Sequence, residues 1–282
     1  MKSQKEKAED FRELHHQKEL LILPNAWDVP SARIFEDAGF PAVATSSAGL
    51  MVSLGSPDGE VIPKSEFVWA VERIAKVLSV PLSADVVSGF GVTSREVGAS
   101  VKSIIRAGAV GINIEDFVHA TKKLYSVEKQ VEKLKAIKTL QKSIGVPFVI
   151  NARTDALRFA PGENEEKLSE AIRRASAYRD AGADCVYPMG LVDAPSIKTF
   201  VKALDFPVNV MVRKGLPPVK KLKALGIRRL SFGPAASYAA MGLLKRAAKE
   251  IIEKGTYHNL VNGAISFDEL NSLALPRGKA PS

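Results

Sequence analysis

Val146-Pro147-Phe148-Val149-Ile150-Asn151-Ala152-Arg153-Thr154-Asp155 joins an apolar run to a guanidinium and a carboxylate. The apolar half, Phe148–Asn151, reads as a strand buried on both faces. Such strands belong to parallel α/β sheets, whose ligands bind at the C-terminal strand ends. Arg153 emerges at such an end as a planar, permanently charged fork suited to carboxylate or phosphate. Two more strand ends are acidic, Ser83-Ala84-Asp85 and Asn113-Ile114-Glu115-Asp116. Acids from two strand ends and a base from a third can converge on one site.

The same kind of strand recurs along the chain. Leu20–Leu23, Ala42–Thr45, Leu82–Val86, Gly111–Glu115, Phe148–Asn151, Cys185–Pro188, Val208–Met211 and Arg229–Phe232 make eight. Helical apolar spacing separates them, most clearly over Glu66–Leu78, Val127–Ile144 and Glu165–Ala181. Several helices stop at a small-residue turn before the next strand, as at Gly39, Gly108, Gly182 and Gly226. Eight β units alternating with helices favour a (β/α)8 barrel over a doubly wound sheet, although the rhythm alone leaves the open sheet standing. A barrel takes about 250 residues, and the chain has 282. The barrel is expected over residues 1–255, with a C-terminal extension over 256–282. In that extension Ser266 and Glu269 form a capping-box pattern ahead of a helix through Leu270 and Leu273 to Pro276. Its stripe of Phe267, Leu270 and Leu273 suits packing on a neighbouring subunit, and Arg277 to Ser282 read as a flexible tail.

Net charge is +9 and pI about 9.5. The basic residues are spread over helical patterns that also carry acids, without an aromatic-interleaved stripe, so nucleic acid is not an expected partner. The surplus suits attraction of anionic substrates. No apolar run approaches the roughly 18 residues of a membrane span, and the charged segment Met1 to Glu13 is no signal peptide. The lone cysteine, Cys185, rules out an internal disulfide, reads as a small core residue and fits a reducing, cytoplasmic location.

Several residues carry two readings. Asp85 and Asp116 could be hard oxygen ligands for Mg²⁺ or helix caps. Asp58, within Pro57-Asp58-Gly59, reads as a turn residue ahead of a ligand. Thr45-Ser46-Ser47 could present backbone N–H groups to an anion or form an ordinary loop. Trp27 could wall the pocket or fill the barrel mouth. Gly233-Pro234 could hold phosphate, with a plain helix start preferred. His119 and Tyr125 are candidate proton donors, against a solvent-exposed loop histidine.

The ordered set Ala44-Thr45-Ser46-Ser47-Ala48-Gly49, Pro57-Asp58-Gly59, Ser83-Ala84-Asp85 with Gly89-Phe90-Gly91, Gly111-Ile112-Asn113-Ile114-Glu115-Asp116 and Asn151-Ala152-Arg153-Thr154-Asp155 resembles the isocitrate lyase/phosphoenolpyruvate mutase superfamily, from about Leu21 to about Gly255. The resemblance implies a barrel whose last helix swaps with a neighbouring subunit, in a dimer or tetramer. It implies Mg²⁺ (or Mn²⁺) held by Asp85 and Glu115, with Asp58 nearby through water. It makes Arg153 the holder of a substrate carboxylate or phosphoryl group and Thr45, Ser46 and Ser47 the holders of the other end. Asn209, in the seventh strand, joins the substrate-binding candidates, and Arg153, Glu115 and His119 are the catalytic ones.

Two departures qualify the resemblance. Val87 stands where members usually carry a second acid, which removes a group that would steady metal-bound water. The segment after the fourth strand, Asp116 to Tyr125, lacks the Lys-Lys/Arg-Cys-Gly-His loop of the lyase branches. The leading expectation is a Mg²⁺-dependent C–C lyase or decarboxylase acting on a small 2-oxo or dicarboxylic acid through an enolate. The alternatives are P–C bond chemistry and a dicarboxylate-binding barrel that has lost turnover.

Overall fold

A computed structural model of the protein describes residues 2–275. Its strands are β1 (Leu21–Leu23), β2 (Asn25–Ala26), β3 (Val43–Thr45), β4 (Leu82–Asp85), β5 (Gly111–Glu115), β6 (Phe117–Val118), β7 (Lys123–Leu124), β8 (Val149–Thr154), β9 (Cys185–Pro188), β10 (Asn209–Met211) and β11 (Arg229–Ser231). Two parallel arcs, β1-β11-β10 and β2-β3-β4-β5-β8-β9, make the wall. A parallel bridge from Val186 to Val208 joins β9 to β10. At the other seam one strand serves both arcs. Pro24 has no N–H to give, so it splits that strand into β1, which pairs with β11, and β2, which pairs with β3. The ring is therefore the expected eight-stranded parallel barrel.

Outward strand positions and the inner faces of the helices form an apolar sleeve around the barrel. Ile112, Ile114, Ile150, Ala152 and Val186 are fully buried in it. From outside, the helix Ser94–Arg106 contributes Val97, Val101, Ile104 and Ile105, and starts with a capping box between Thr93 and Glu96. The glycines that close four helices, Gly39, Gly108, Gly182 and Gly226, all adopt positive φ (90°, 108°, 102° and 87°). The inward positions are different in kind. Asn25, Ser83, Asn113, Asn151, Asn209 and Ser231 face the barrel's interior cavity, where barrels ordinarily stack branched apolar side chains.

Three features differ from the sequence reading. The fifth barrel strand, β8, runs through Thr154 rather than ending at Asn151, so Arg153 is a strand residue held on both sides by ladder partners. The charged N-terminus forms a helix, Gln4–His16, with Ala8, Phe11 and His15 buried at helical spacing. It closes the floor of the barrel: a Cβ at Gly111 would lie 2.5 Å from the Phe11 ring, so only glycine admits that contact. In the C-terminal extension, Ser266 caps the helix Phe267–Leu273 as expected. That helix packs on its own chain's helix Val29–Asp37 and buries Leu273, leaving Phe267 and Leu270 exposed. Pro276 and the segment Arg277 to Ser282 lie outside the described residues. No described helix is long and apolar enough to cross a membrane.

His15 gives the floor a pH signature. Its Nδ1 lies 2.7 Å from the Phe11 carbonyl and its Nε2 lies 3.3 Å from Arg229 Nη1. A neutral ring that donates from Nδ1 and accepts at Nε2 satisfies both. Burial, helped by the Arg229 charge, pushes His15 down to about 3. An unfolded His15 takes up a proton near pH 6.5, and the folded one refuses it until about pH 3. This residue therefore removes stability as pH falls through that window, at up to about 1.4 kcal/mol per pH unit. His15→Gln should flatten the decline by that amount between about pH 5.5 and 4.5, measured as unfolding free energy in urea against the parent. Equal slopes in the two proteins would show that His15 is protonated in the fold.

Candidate active site

A cavity of about 730 Å³ opens at the C-terminal strand ends and reaches down into the barrel. Its walls bring together Thr45, Ser46, Ser47, Asp58, Asp85, His119, Arg153 and Asn209 from the expected site residues. Glu115 lies just behind the wall at 2% exposure.

Arg153 is the centre of charge. Its Nε and Nη2 donate to the two oxygens of Asp155, at 2.6 and 2.9 Å. Its Nη1 lies 2.7 Å from Glu115 Oε2. One N–H on each terminal nitrogen remains for a ligand. Burial works against the Arg153 charge, but Glu115 and Asp155 outweigh it and hold the guanidinium well above its ordinary range. Glu115 also receives His119 Nε2 at 2.6 Å. That bond raises the His119 pKa against partial burial, so His119 is a paired, half-buried group rather than a solvent-exposed loop histidine. Burial pushes Glu115 itself upward, against the Arg153 charge beside it.

Asp116, one residue on, points the other way. It is fully buried and accepts from Thr154 Oγ1, Tyr178 Oη, Arg174 Nη1 and the Asp155 backbone N–H, at 2.7, 2.7, 3.0 and 2.9 Å. It is neither a cap nor a ligand; it ties the ends of β5 and β8 to the helix Asn164–Asp180.

Asp85 and Asp58 form the second acidic group. Asp85 accepts from Ser47 N (3.1 Å) and Asn113 Nδ2 (2.8 Å). Asn113 Oδ1 in turn accepts from Asn151 Nδ2 at 2.8 Å. Asp58 accepts from Gly59 N at 3.0 Å. Burial, then the charge of Asp85, raises Asp58 above the usual carboxylate range. Asp58, buried and beside the charge of Asp85, makes with it a donor pair that a divalent cation relieves, and Mg²⁺ is satisfied by one or two carboxylates plus water and substrate oxygens. The donor chemistry therefore fits the metal at Asp58 and Asp85. The expected three-acid set is not assembled: Glu115 is turned to Arg153 and His119, and among the described residues no group of three or more His, Cys, Asp or Glu side chains is placed to hold a metal.

The loop after β3 also differs from its expected use as a substrate cradle. Thr45 Oγ1 accepts from Asp85 N (2.9 Å), Ser46 caps the helix Ser47–Ser53 through Gly49 N, and Ser47 N holds Asp85. The anion this loop binds is the chain's own carboxylate. The backbone N–H groups of Phe232 and Gly233 are likewise taken by Asn25 Oδ1, at 2.8 and 2.9 Å, so the last strand end is a plain helix start. Trp27 is not on the cavity wall. Val87 is not either; it is 1% exposed within the apolar core, at φ 54°, a strained value for a β-branched residue. An acid placed there would meet apolar side chains rather than metal-bound water.

The segment that replaces the lyase loop folds as a hairpin of β6 and β7. It brings Phe117, His119 and Lys122 to the cavity. Tyr125 at its foot does not reach the cavity; Lys133 Nζ sits 3.5 Å above its ring. Phe117 stacks on Phe159 with centroids 4.3 Å apart, giving one side of the mouth an apolar wall. Tyr187, buried beside Arg153, Arg158 at the rim and Arg229 on the floor escaped the sequence reading. For Tyr187 and Arg229 the signal was period-two alternation: Cys185-x-Tyr187 and Arg229-x-Ser231 place polar groups on the inward side, as Asn151-x-Arg153 does.

The model of the family described as phosphoenolpyruvate phosphomutase matches residues 11–252. The chain is 30% identical over 254 residues to the 2-methylisocitrate lyase of Escherichia coli (strain K12), covering 85% of this chain and 82% of that one. It is 32% identical over 250 residues to the oxaloacetate decarboxylase of Chromohalobacter salexigens, covering 85% and 83%. The solved structure of oxaloacetate acetylhydrolase with the inhibitor 3,3-difluorooxalacetate superimposes with a TM-score of 0.83 at 26% identity, covering 95% of this chain and 93% of that one. With the barrel and its strand-end acids in place, the chain belongs to the isocitrate lyase/phosphoenolpyruvate mutase superfamily.

Proposed function

We propose that the protein is a divalent-metal-dependent lyase or decarboxylase that breaks a C–C bond of a small 2-oxo or dicarboxylic acid. One observation carries this reading: the Asp58–Asp85 pair and the Arg153 guanidinium line one and the same cavity. Relatives named as 2-methylisocitrate lyase, oxaloacetate decarboxylase and 2,3-dimethylmalate lyase support it. Asp85 and Asp58 would hold Mg²⁺ or Mn²⁺, which supplies Lewis-acid polarisation of the 2-oxo group when bound. The remaining N–H groups of Arg153 orient the substrate carboxylate, and Glu115 with Asp155 fixes the plane of that fork. Asn209 offers a neutral contact from the wall. His119, whose pKa the bond to Glu115 raises, stands at the cavity to move a proton. Phe117 and Phe159 keep water from one side of the reacting carbon.

A second reading, P–C bond chemistry on the same scaffold, is favoured by Lys122, Arg158 and Arg213 around the mouth, which suit a phosphonate's extra charge. Turnover of oxaloacetate, methylisocitrate and phosphonopyruvate with Mg²⁺ or Mn²⁺ separates the two. Cleavage of neither carbon acid with either metal would sink the leading reading, and binding without turnover of any of the three would leave a dicarboxylate-binding barrel.

Asp85→Ala should abolish the Mg²⁺ binding heat seen by calorimetry, together with turnover, in a protein whose circular dichroism is that of the parent. Unchanged Mg²⁺ affinity would remove Asp85 from the metal site. Arg153→Ala strands Glu115 and Asp155, both almost fully buried, and should cost on the order of 3–5 kcal/mol of stability as well as oxalate affinity. Arg153→Lys keeps a charge for the two acids but loses the fork, so it should keep more stability than Arg153→Ala while losing oxalate affinity. Parental oxalate affinity in the lysine variant would make Arg153 a purely structural residue.

The protein is proposed to act as a homo-oligomer, dimer or tetramer, in the reducing cytoplasm. The helix Ala235–Lys254 buries only Ser237, Ala247 and Glu250 on its own chain. Tyr238, Met241, Leu244 and Ile252 stay exposed along it, a face suited to a second copy. Leu244→Glu, at a position 54% exposed in the single chain, should leave each barrel folded and lower the mass measured by light scattering. A mass equal to the parent's would clear this face of that role.

A further inference from the structure

Arg229 has no part in the proposed chemistry. It opens β11 with its side chain directed into the barrel, is 2% exposed, and contributes to the cavity lining. Among the described residues its one hydrogen-bond partner is His15 Nε2 at 3.3 Å, a neutral group. Its Nε is buried and has no partner. No described carboxylate forms an ion pair with it, and Asp85, the nearest acid to influence it, is held by Ser47 and Asn113. Burial accordingly lowers the Arg229 pKa from the ordinary guanidinium value. Buried charges in proteins are paired, because an unpaired one has lost its hydration with nothing in return. Nothing in the described chain supplies that partner.

The neighbouring wall is built for one. Asn209 stands opposite Arg229 in the ladder between β10 and β11 and is 1% exposed. Its Nδ2 gives one N–H to Ser231 Oγ at 3.2 Å and keeps a second for a ligand. The Arg229 guanidinium and the Asn209 amide nitrogen thus share one patch of floor, and the buried Arg229 Nε there donates to nothing. We infer that Arg229 and Asn209, the latter steadied by Ser231, form an anion subsite at the floor of the cavity, sized for a monovalent anion such as chloride or a single carboxylate group. The charge would come either from a free inorganic anion, resident while substrate turns over above it, or from the deeper end of the substrate itself.

The test uses ³⁵Cl line broadening by the full-length protein, with chloride as the probe and oxalate as competitor. The parent should broaden the chloride signal more than Arg229→Gln does. Asn209→Asp should show the same loss, since it places a fixed carboxylate beside the guanidinium and leaves Arg229 in place; it keeps the test open if Arg229→Gln does not fold. Excess broadening that oxalate abolishes would make the subsite part of the substrate pocket. Excess broadening that survives saturating oxalate would make it a separate inorganic-anion site. Broadening by either folded variant equal to the parent's would overturn the subsite. The chloride comparison involves no turnover, so it stands or falls apart from the proposed reaction.

Discussion

The ion set of Arg153, Glu115 and Asp155 is the interaction on which the site depends. Two carboxylates and one guanidinium are withdrawn from water together, and each is tolerable there only because the others are present. The set also explains why neighbouring residues of one strand end do different work. Successive strand residues face opposite sides. Glu115 turns inward to Arg153 and His119, and Asp116 turns outward to Thr154, Tyr178 and Arg174. One face of β5 thus orders the cavity while the other locks the barrel end to a helix.

The same charge logic organises the far side of the cavity. Asp85 is held by a backbone N–H and by a relay of amides, Asn151 to Asn113 to Asp85. This relay fixes which oxygen of Asp85 faces which neighbour and leaves Asp58 as its acidic companion. The hairpin of β6 and β7 reaches the cavity through His119, whose ring also lies against Gly59, next to Asp58. The hairpin, the Asp58 turn and the Glu115–Arg153 pair are therefore coupled through few contacts.

The barrel was legible because its signals are local: apolar runs bounded by small-residue turns, repeated eight times. Arg153, Asp85 and Glu115 were legible as charged groups at the ends of such runs. Three things were not. The N-terminal helix is mostly polar, and only Ala8, Phe11 and His15 mark its buried face. The partners of each charge are set by long-range geometry, so neither the turning of Glu115 to Arg153 nor the use of the Thr45–Ser47 loop by Asp85 is written in spacing. Val87 occupies a position that sequence register places in the site, whereas a left-handed backbone turns its side chain into the core.

The polar interior of the barrel has a consequence for how the molecule is assembled and altered. In this chain, the area that drives collapse lies almost wholly in the sleeve between strands and helices, on every second residue of each strand. The intervening residues contribute function and little adhesion. Uncharged inward positions can therefore be exchanged with small effect on the collapse that shapes the scaffold, while outward ones cannot. Heredity of the architecture and freedom of the chemistry are carried by alternating letters of the same short words.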